Sequence, residues 1–218
     1  MNTHHYQQPY ALSKVTNPMI TIYDAEKSGH AHRVRLCASL LNIPFKLQQV
    51  SDMEGDRQGA EYLAINPFGQ IPTIKDSEFI LRDSIAIILY LAETYAPGSN
   101  WIPNDKNERA RMYEWLAVAA GVMFRGPNLA RLIKLFGRPG DHAAAVEASI
   151  MLFKMMDNHL KDKSWLVGQN PTLADIACYS YLKVSEEGDL DITPYTNILN
   201  WFENIEKLDG FIPMPKSR

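Results

Sequence analysis

The chain has 218 residues, 46% apolar and 22% charged, with a formal net charge of −3. This is the composition of a globular protein with apolar material for one large or two small domains. Its lysines and arginines form no run, which excludes the basic footprint of a nucleic-acid binder. Cys37 and Cys178 lie far apart in apolar stretches with no C-x-x-C or Cys/His spacing, so no metal site is expected and a reducing, cytoplasmic setting is.

Residues 1–18 carry Lys14, the adjacent His4 and His5, and no apolar run long enough for a signal peptide or a membrane span. They read as a disordered leader. Met19-Ile20-Thr21-Ile22-Tyr23 predicts a strand, followed by a polar loop to Gly29. Over residues 30–41, Val34, Cys37, Leu40 and Leu41 recur at helical spacing until Asn42-Ile43-Pro44 stops the run, and residues 45–50 predict a second strand, completing a βαβ unit. Residues 53–63 are charged and glycine-bearing and predict no definite element.

Next comes Asn66-Pro67-Phe68-Gly69-Gln70-Ile71-Pro72. A proline at the head of a β-branched run is a poor central-strand residue because it lacks an N–H. A cis Ile71-Pro72 bond would explain it by turning the backbone groups of Ile71 outward, where they can pair with an extended ligand. Residues 71–75 and 78–81 predict two short strands about a turn at Asp76-Ser77, and a helix follows with Ile85, Ile88, Leu89 and Ala92 on one face and Ser84 as its N-cap.

Tyr95-Ala96-Pro97-Gly98-Ser99-Asn100 is the clearest punctuation in the chain, and beyond it the pattern is helical throughout. The expected organisation is an α/β domain over residues 19–95, a linker over 96–103 and an all-α domain over 104–218. Met112, Leu116, Ala119 and Met123 carry the first helical stripe, Leu129, Leu132, Ile133 and Phe136 a second, and Val146, Ile150, Phe153 and Leu160 a third. In Pro171-Thr172-Leu173-Ala174-Asp175, Thr172 and Asp175 are spaced for a capping box.

These motifs in this order, Asn66 to Pro72, then Arg82-Asp83-Ser84, then Pro171 to Asp175 in a helical second half, resemble the cytosolic glutathione transferases, specifically a bacterial-like serine type. The resemblance runs from about Met19 to the C-terminus. It implies a thioredoxin-like first domain that binds glutathione as co-substrate, an all-helical second domain, a homodimer and a role in detoxification.

The resemblance places Ser28 where serine-type members keep the hydroxyl that hydrogen-bonds the glutathione sulfur. A thiol of pKa about 8.5 is about 3% ionised near pH 7, and lowering it by about two units at a helix N-terminus makes it roughly three-quarters thiolate. The other reading of Ser28 is a plain helix cap. Alanine at position 31 leaves no cysteine pair, so the thiol must come from the co-substrate. His30, His32, Arg33 and Arg35 either favour an anion at this helix start or form a solvated face, and His30 is kept as a glutathione-binding candidate. Asp83 and Ser84 match the pair that binds the γ-glutamyl end, the carboxylate meeting its ammonium while Ser84 and nearby helix N–H groups meet its carboxylate. Ile71 and Pro72 match the pair that holds the cysteinyl unit. Gln70 and Arg57 are candidates for the glycine carboxylate, with a plain surface arginine as the other reading of Arg57. Met123, Phe124, Arg125 and Asn128 fall where the electrophile wall is expected, given room by Gly121 and Gly126, or are ordinary core.

The function implied is addition of the glutathione thiolate to a small electrophile, with no nucleic-acid or membrane partner. Alternatives are a glutathione-dependent isomerase or disulfide-bond reductase, and a non-enzymatic interaction protein that keeps the fold.

Overall fold

The computed structural model describes residues 19–50 and 55–217. The leader expected over residues 1–18 lies outside the described residues. β1 (Ile20–Asp24) is buried at all five positions, as a β-branched and aromatic run without polar alternation requires. It pairs in parallel with β2 (Phe45–Gln49) and antiparallel with β3 (Thr73–Asp76), which pairs antiparallel with β4 (Phe79–Arg82), in the order β2-β1-β3-β4. The parallel pair is joined by α1 (Gly29–Leu40), the crossover helix that such a pair needs. β2 is an edge, and its Lys46, Gln48 and Gln49 suit that exposure.

The β3–β4 turn is Ser77-Glu78, one residue later than the spacing suggests, with Ser77 at φ 55°. Asp76 reads as a turn residue but stays in the strand, its buried carboxylate accepting from the hydroxyls of Tyr90 (2.8 Å) and Tyr95 (2.5 Å). The segment without a predicted element contains a 3₁₀ turn at Asp56–Gln58 and α2 (Ala60–Ile65). The helix after β4 is α3 (Ser84–Tyr95), and its N-cap is Asp83 rather than Ser84: Asp83 Oδ1 accepts from the N–H of Ile85 (2.9 Å) and Ala86 (3.1 Å). A carboxylate one position earlier reaches both orphan donors, whereas Ser84 already sits inside the first turn.

The rest is helical: α4 (Lys106–Ala120), a π-helical turn at Phe124–Asn128 kinked at Gly126, α5 (Leu129–Phe136), α6 (His142–His159), α7 (Leu173–Lys183) and α8 (Thr196–Glu206). α7 is buried along almost its whole length and packs on α1 and α4. Its capping box is formed, and Asp175 also accepts from Leu166 N–H and Trp201 Nε1–H, both at under 3 Å, so one buried carboxylate ties three segments. Ile150 and Phe136 fall in the predicted stripes yet are exposed.

The register decides where chemistry can collect. Tyr23 is opposite Thr73, Thr73 opposite Arg82, and Asp24 opposite Gln49. The loop into α1, the 66–72 loop, the β4–α3 junction and the segment after β2 therefore emerge at one end of the sheet.

Candidate functional site

Ser28 caps α1 with extended backbone, its Oγ accepting the N–H of Ala31 at 3.2 Å. A hydroxyl has one hydrogen and two lone pairs, so this bond occupies a lone pair and leaves the hydrogen to be donated outward at the positive end of the helix. The helix start is wedged: a Cβ on Gly29 would lie 2.7 Å from two ring atoms of Tyr181 on α7. The carbonyl of Lys27, just before Ser28, accepts from Arg131 Nη1 at 2.9 Å. Both contacts come from the helical half and fix the height of Ser28.

His30 faces the same space. Its ring lies edge-on to Tyr181 (centroids 4.9 Å apart) and stacks with Phe124 at 6.2 Å. Arg33 Nη1 is 3.2 Å from Nδ1, and Asn128 Nδ2 is 3.3 Å from Nε2. Burial first, and the Arg33 charge second, push its pKa down to about 3, so the ring is neutral. Arg33 can only donate, so Nδ1 accepts and the ring proton is on Nε2. Asn128 must then present its oxygen to that proton, and the amide oxygen is the end that otherwise has no partner in this buried side chain.

The remaining basic residues of α1 form no solvated face. His32, Arg33 and Arg35 are all buried. His32 donates from Nε2 to the carbonyl of Ile212 (3.0 Å) and accepts at Nδ1 from Ser180 (2.9 Å), and burial pushes its pKa down to about 4. Arg35 pairs with Asp24.

At the β4–α3 junction Asp83 is exposed, with φ 71° and ψ 122°. A non-glycine residue there stores on the order of 1–3 kcal/mol of backbone strain, which its two cap bonds help to offset. Those bonds use the Ile85 and Ala86 N–H groups, which leaves Ser84, through its hydroxyl and its own N–H, as the part of this helix start that can meet a ligand carboxylate. Ser84 Oγ accepts from Arg33 Nη1 at 2.7 Å and lies 3.4 Å from His30 Nδ1.

The Ile71-Pro72 bond is cis, and among the described residues the Ile71 N–H and C=O have no hydrogen-bond partner. The loop below them is pinned, since Gln70 O accepts from Tyr62 Oη and Asn66 Nδ2, both at 2.7 Å. The side chain of Gln70 is exposed. Arg57 lies beside this loop, its carbonyl 2.8 Å from where a Gly69 Cβ would stand, and Gly69 at φ +57° carries no Cβ. Desolvation, then the charge of Arg138, lower the Arg57 pKa from its ordinary value.

On the helical side Phe124 is half-exposed and Arg125 is exposed, its Nη2 running back toward Gly121. Asn128 is buried against His30. Met123 is fully buried in the core and does not line the opening, because it continues the buried face of α4 carried by Met112, Leu116 and Ala119. Gly126 gives no room to a ligand either, for a Cβ there would meet Ser149 Oγ of α6 at 3.1 Å.

Comparison with known proteins gives this constellation a lineage. Residues 28–94 match the glutathione S-transferase N-terminal domain and residues 140–209 the glutathione S-transferase C-terminal domain. Glutathione S-transferase theta-1 of Mus musculus is 30% identical over 179 residues, 78% of this chain and 75% of the relative. The chain belongs to the glutathione S-transferase family. Glutathione S-transferase D7 of Drosophila melanogaster is 27% identical over 193 residues, covering 88% of this chain and 86% of that one. A crystal structure of a glutathione S-transferase from Pseudomonas fluorescens superposes with a TM-score of 0.84 at 27% identity, covering 91% of this chain and all of that one.

Three residues that support the candidate site carry no motif. Arg33 and Tyr181 reach it from buried stretches of α1 and α7, and Arg131 from α5 beside buried Ala130. No local signal marks Arg131 or Tyr181, and only tertiary partners set Arg33 apart from the other basic residues of α1.

Proposed function

We propose that this transferase binds glutathione at the shared end of the sheet, with Ser28 donating its hydroxyl hydrogen to the sulfur and so favouring the thiolate that attacks a small electrophile. The observation that carries this is the Ser28 hydroxyl, with one lone pair held by Ala31 N–H and its hydrogen left for a developing anion. Along the bound tripeptide, Asp83 pairs with the γ-glutamyl ammonium and Ser84 with its α-carboxylate. The unpartnered backbone of Ile71, preceding Pro72, pairs with the cysteinyl unit, and Gln70 with Arg57 takes the glycine end. His30, being neutral, acts as a fixed hydrogen-bonding plate rather than as an acid. The electrophile meets the face formed by Phe124, Arg125 and His30.

The protein is proposed to be a cytoplasmic homodimer. Exposed Tyr113 on α4 and Ile150, Met151 and Met155 on α6 are large apolar groups of the kind a second copy would cover. The domain boundary is proposed at residues 96–103, where the sheet-bearing half gives way to helices.

The test is retention on immobilised glutathione with elution by the free tripeptide, followed by turnover of a halonitrobenzene. Retention with measurable conjugation is expected. Retention without conjugation, but with reduction of a glutathione mixed disulfide, would move the activity to disulfide reduction, and no retention would overturn the reading.

A further inference from the structure

Among the described residues three arginines are almost completely buried, and two have a carboxylate partner: Arg35 pairs with Asp24, and Arg131 with Glu187 at 2.6 Å. The third does not. Arg33 is 1% exposed, yet among the described residues its guanidinium makes no salt bridge. Its Nε and Nη2 both donate to the carbonyl of Ala177 (3.0 and 2.6 Å), and its Nη1 donates to Ser84 Oγ (2.7 Å) and faces His30 Nδ1 (3.2 Å). Every partner is neutral. Hydrogen bonds satisfy the donors but leave the charge uncompensated, and a buried charge without a counter-ion is strongly unfavourable. The charge of Asp83 acts on it through space, but that carboxylate is exposed and committed to capping α3.

The missing negative charge has one place to arrive. Arg33 Nη1 occupies a lone pair of Ser84 Oγ, so the hydroxyl hydrogen must be donated elsewhere. Among the described residues the acceptor recorded beside it is His30 Nδ1 at 3.4 Å, and Arg33 already uses the single lone pair of that nitrogen. Ser84 is thus held with an unspent donor at the first turn of α3, backed by a buried cation, at the end of the sheet where the ligand loops gather.

We infer that Arg33 is the positioning residue for the α-carboxylate of glutathione: it turns Ser84 into a donor aimed at that carboxylate, and the carboxylate neutralises its buried charge. The inference rests on the glutathione reading above and adds to it a counter-ion and a direction for Ser84. It also accounts for a cation beneath a site where Asp83 already takes the Ile85 and Ala86 N–H groups. Arg33 does not touch the ligand; it acts through Ser84.

The experiment compares two ligands by calorimetry, glutathione and 4-aminobutyryl-cysteinyl-glycine, which lacks only the α-carboxylate. Wild type should prefer glutathione by about tenfold or more, the scale of one charge-assisted hydrogen bond. Arg33→Gln should reduce that preference to about twofold or less by weakening glutathione alone, whereas Arg33→Lys, which keeps the charge and loses the fork, should retain part of it. An equal loss for both ligands would make Arg33 merely structural and overturn the inference, as would an unchanged preference in Arg33→Gln. Should Arg33→Gln not fold, Ser84→Ala in the wild-type background must erase the same preference, and its persistence there would be equally contrary. Failure of the wild type to bind either ligand would instead strike the glutathione reading itself.

Discussion

The two walls of the site are built differently. On the sheet side the polar side chains about the helix starts are held in place: Ser28 by Ala31 N–H, Ser84 by Arg33 and Asp83 by two helix N–H groups, while Tyr62 and Asn66 hold Gln70 O. On the helical side Phe124 and Arg125 stand exposed on a π-helical turn, with Phe124 resting on His30 and Arg125 lying along its own helix. A wall of polar groups held in fixed positions suits one ligand of fixed shape, and a wall of exposed side chains on an irregular turn suits several. The contrast teaches where specificity should be strict and where it should be adaptable, and the following experiments try to break or sharpen it.

The largest effect is expected from Ser28→Ala, which should lower turnover of a halonitrobenzene by about ten- to a thousandfold, the range for removing one donor to a developing anion. Glutathione affinity should change little. Melting should report a further loss of about 1 kcal/mol for the cap. Unchanged turnover would shift the role to a backbone N–H.

Acidification attacks the pinned wall as a whole. His30 and His32 titrate near 6.5 in the unfolded chain but are held down to about 3 and about 4 when folded, so the unfolded state binds protons first. The stability they contribute is fully present above about pH 6.5 and falls as the pH drops toward 4, at up to about 1.4 kcal/mol per pH unit for each ring. Denaturant melts at a series of pH values should show this slope, and His32→Gln should reduce it. A flat profile would mean that neither ring is buried neutral.

Gly29→Ala should destabilise by about 1–3 kcal/mol, because the added methyl meets the Tyr181 ring at 2.7 Å and one side must move. Turnover should fall further than stability requires, since Ser28 rides on that contact. Near-wild-type melting would show that the wedge is soft.

Asp83→Asn separates two functions of one side chain. Asparagine caps helices as well as aspartate and tolerates positive φ, so melting should be preserved, while the loss of charge should weaken glutathione binding by about tenfold. Loss of stability with unchanged affinity would leave Asp83 as a cap only.

The adaptable wall gives the smallest numbers. Replacing Phe124 and Arg125 with alanine should reorder a panel of electrophiles, with acidic or carbonyl-bearing members hurt most, and leave glutathione affinity within about threefold. A uniform drop with lower melting would mark these residues as packing.

The legibility of the fold follows the same division. Strands, α1 and the capping box are local patterns, and Ile20 to Tyr23, Val34 to Leu40 and Thr172 to Asp175 could be placed from spacing alone, as could the proline that proved to be cis. The N-cap of α3 was misplaced by one residue because serine and aspartate cap equally well and only geometry separates them. Met123 was expected at the opening, but it keeps the helical spacing of Met112, Leu116 and Ala119 and shares their buried face, so periodicity was the better guide there. Arg33 was read only as one of four basic residues at the start of α1, for a deeper reason. A basic residue in a helix's first turns usually faces water, and only the tertiary arrangement shows that Ala177 and Ser84 hold this one inside.

The central claim is that Ser28 favours the thiolate of bound glutathione. The direct measurement is an ultraviolet titration of thiolate absorbance for glutathione bound to wild type and to Ser28→Ala. The wild-type complex should ionise about two pH units below the free thiol value of about 8.5, with the variant returning most of the way to it. Coincident titrations of the two complexes would contradict the account.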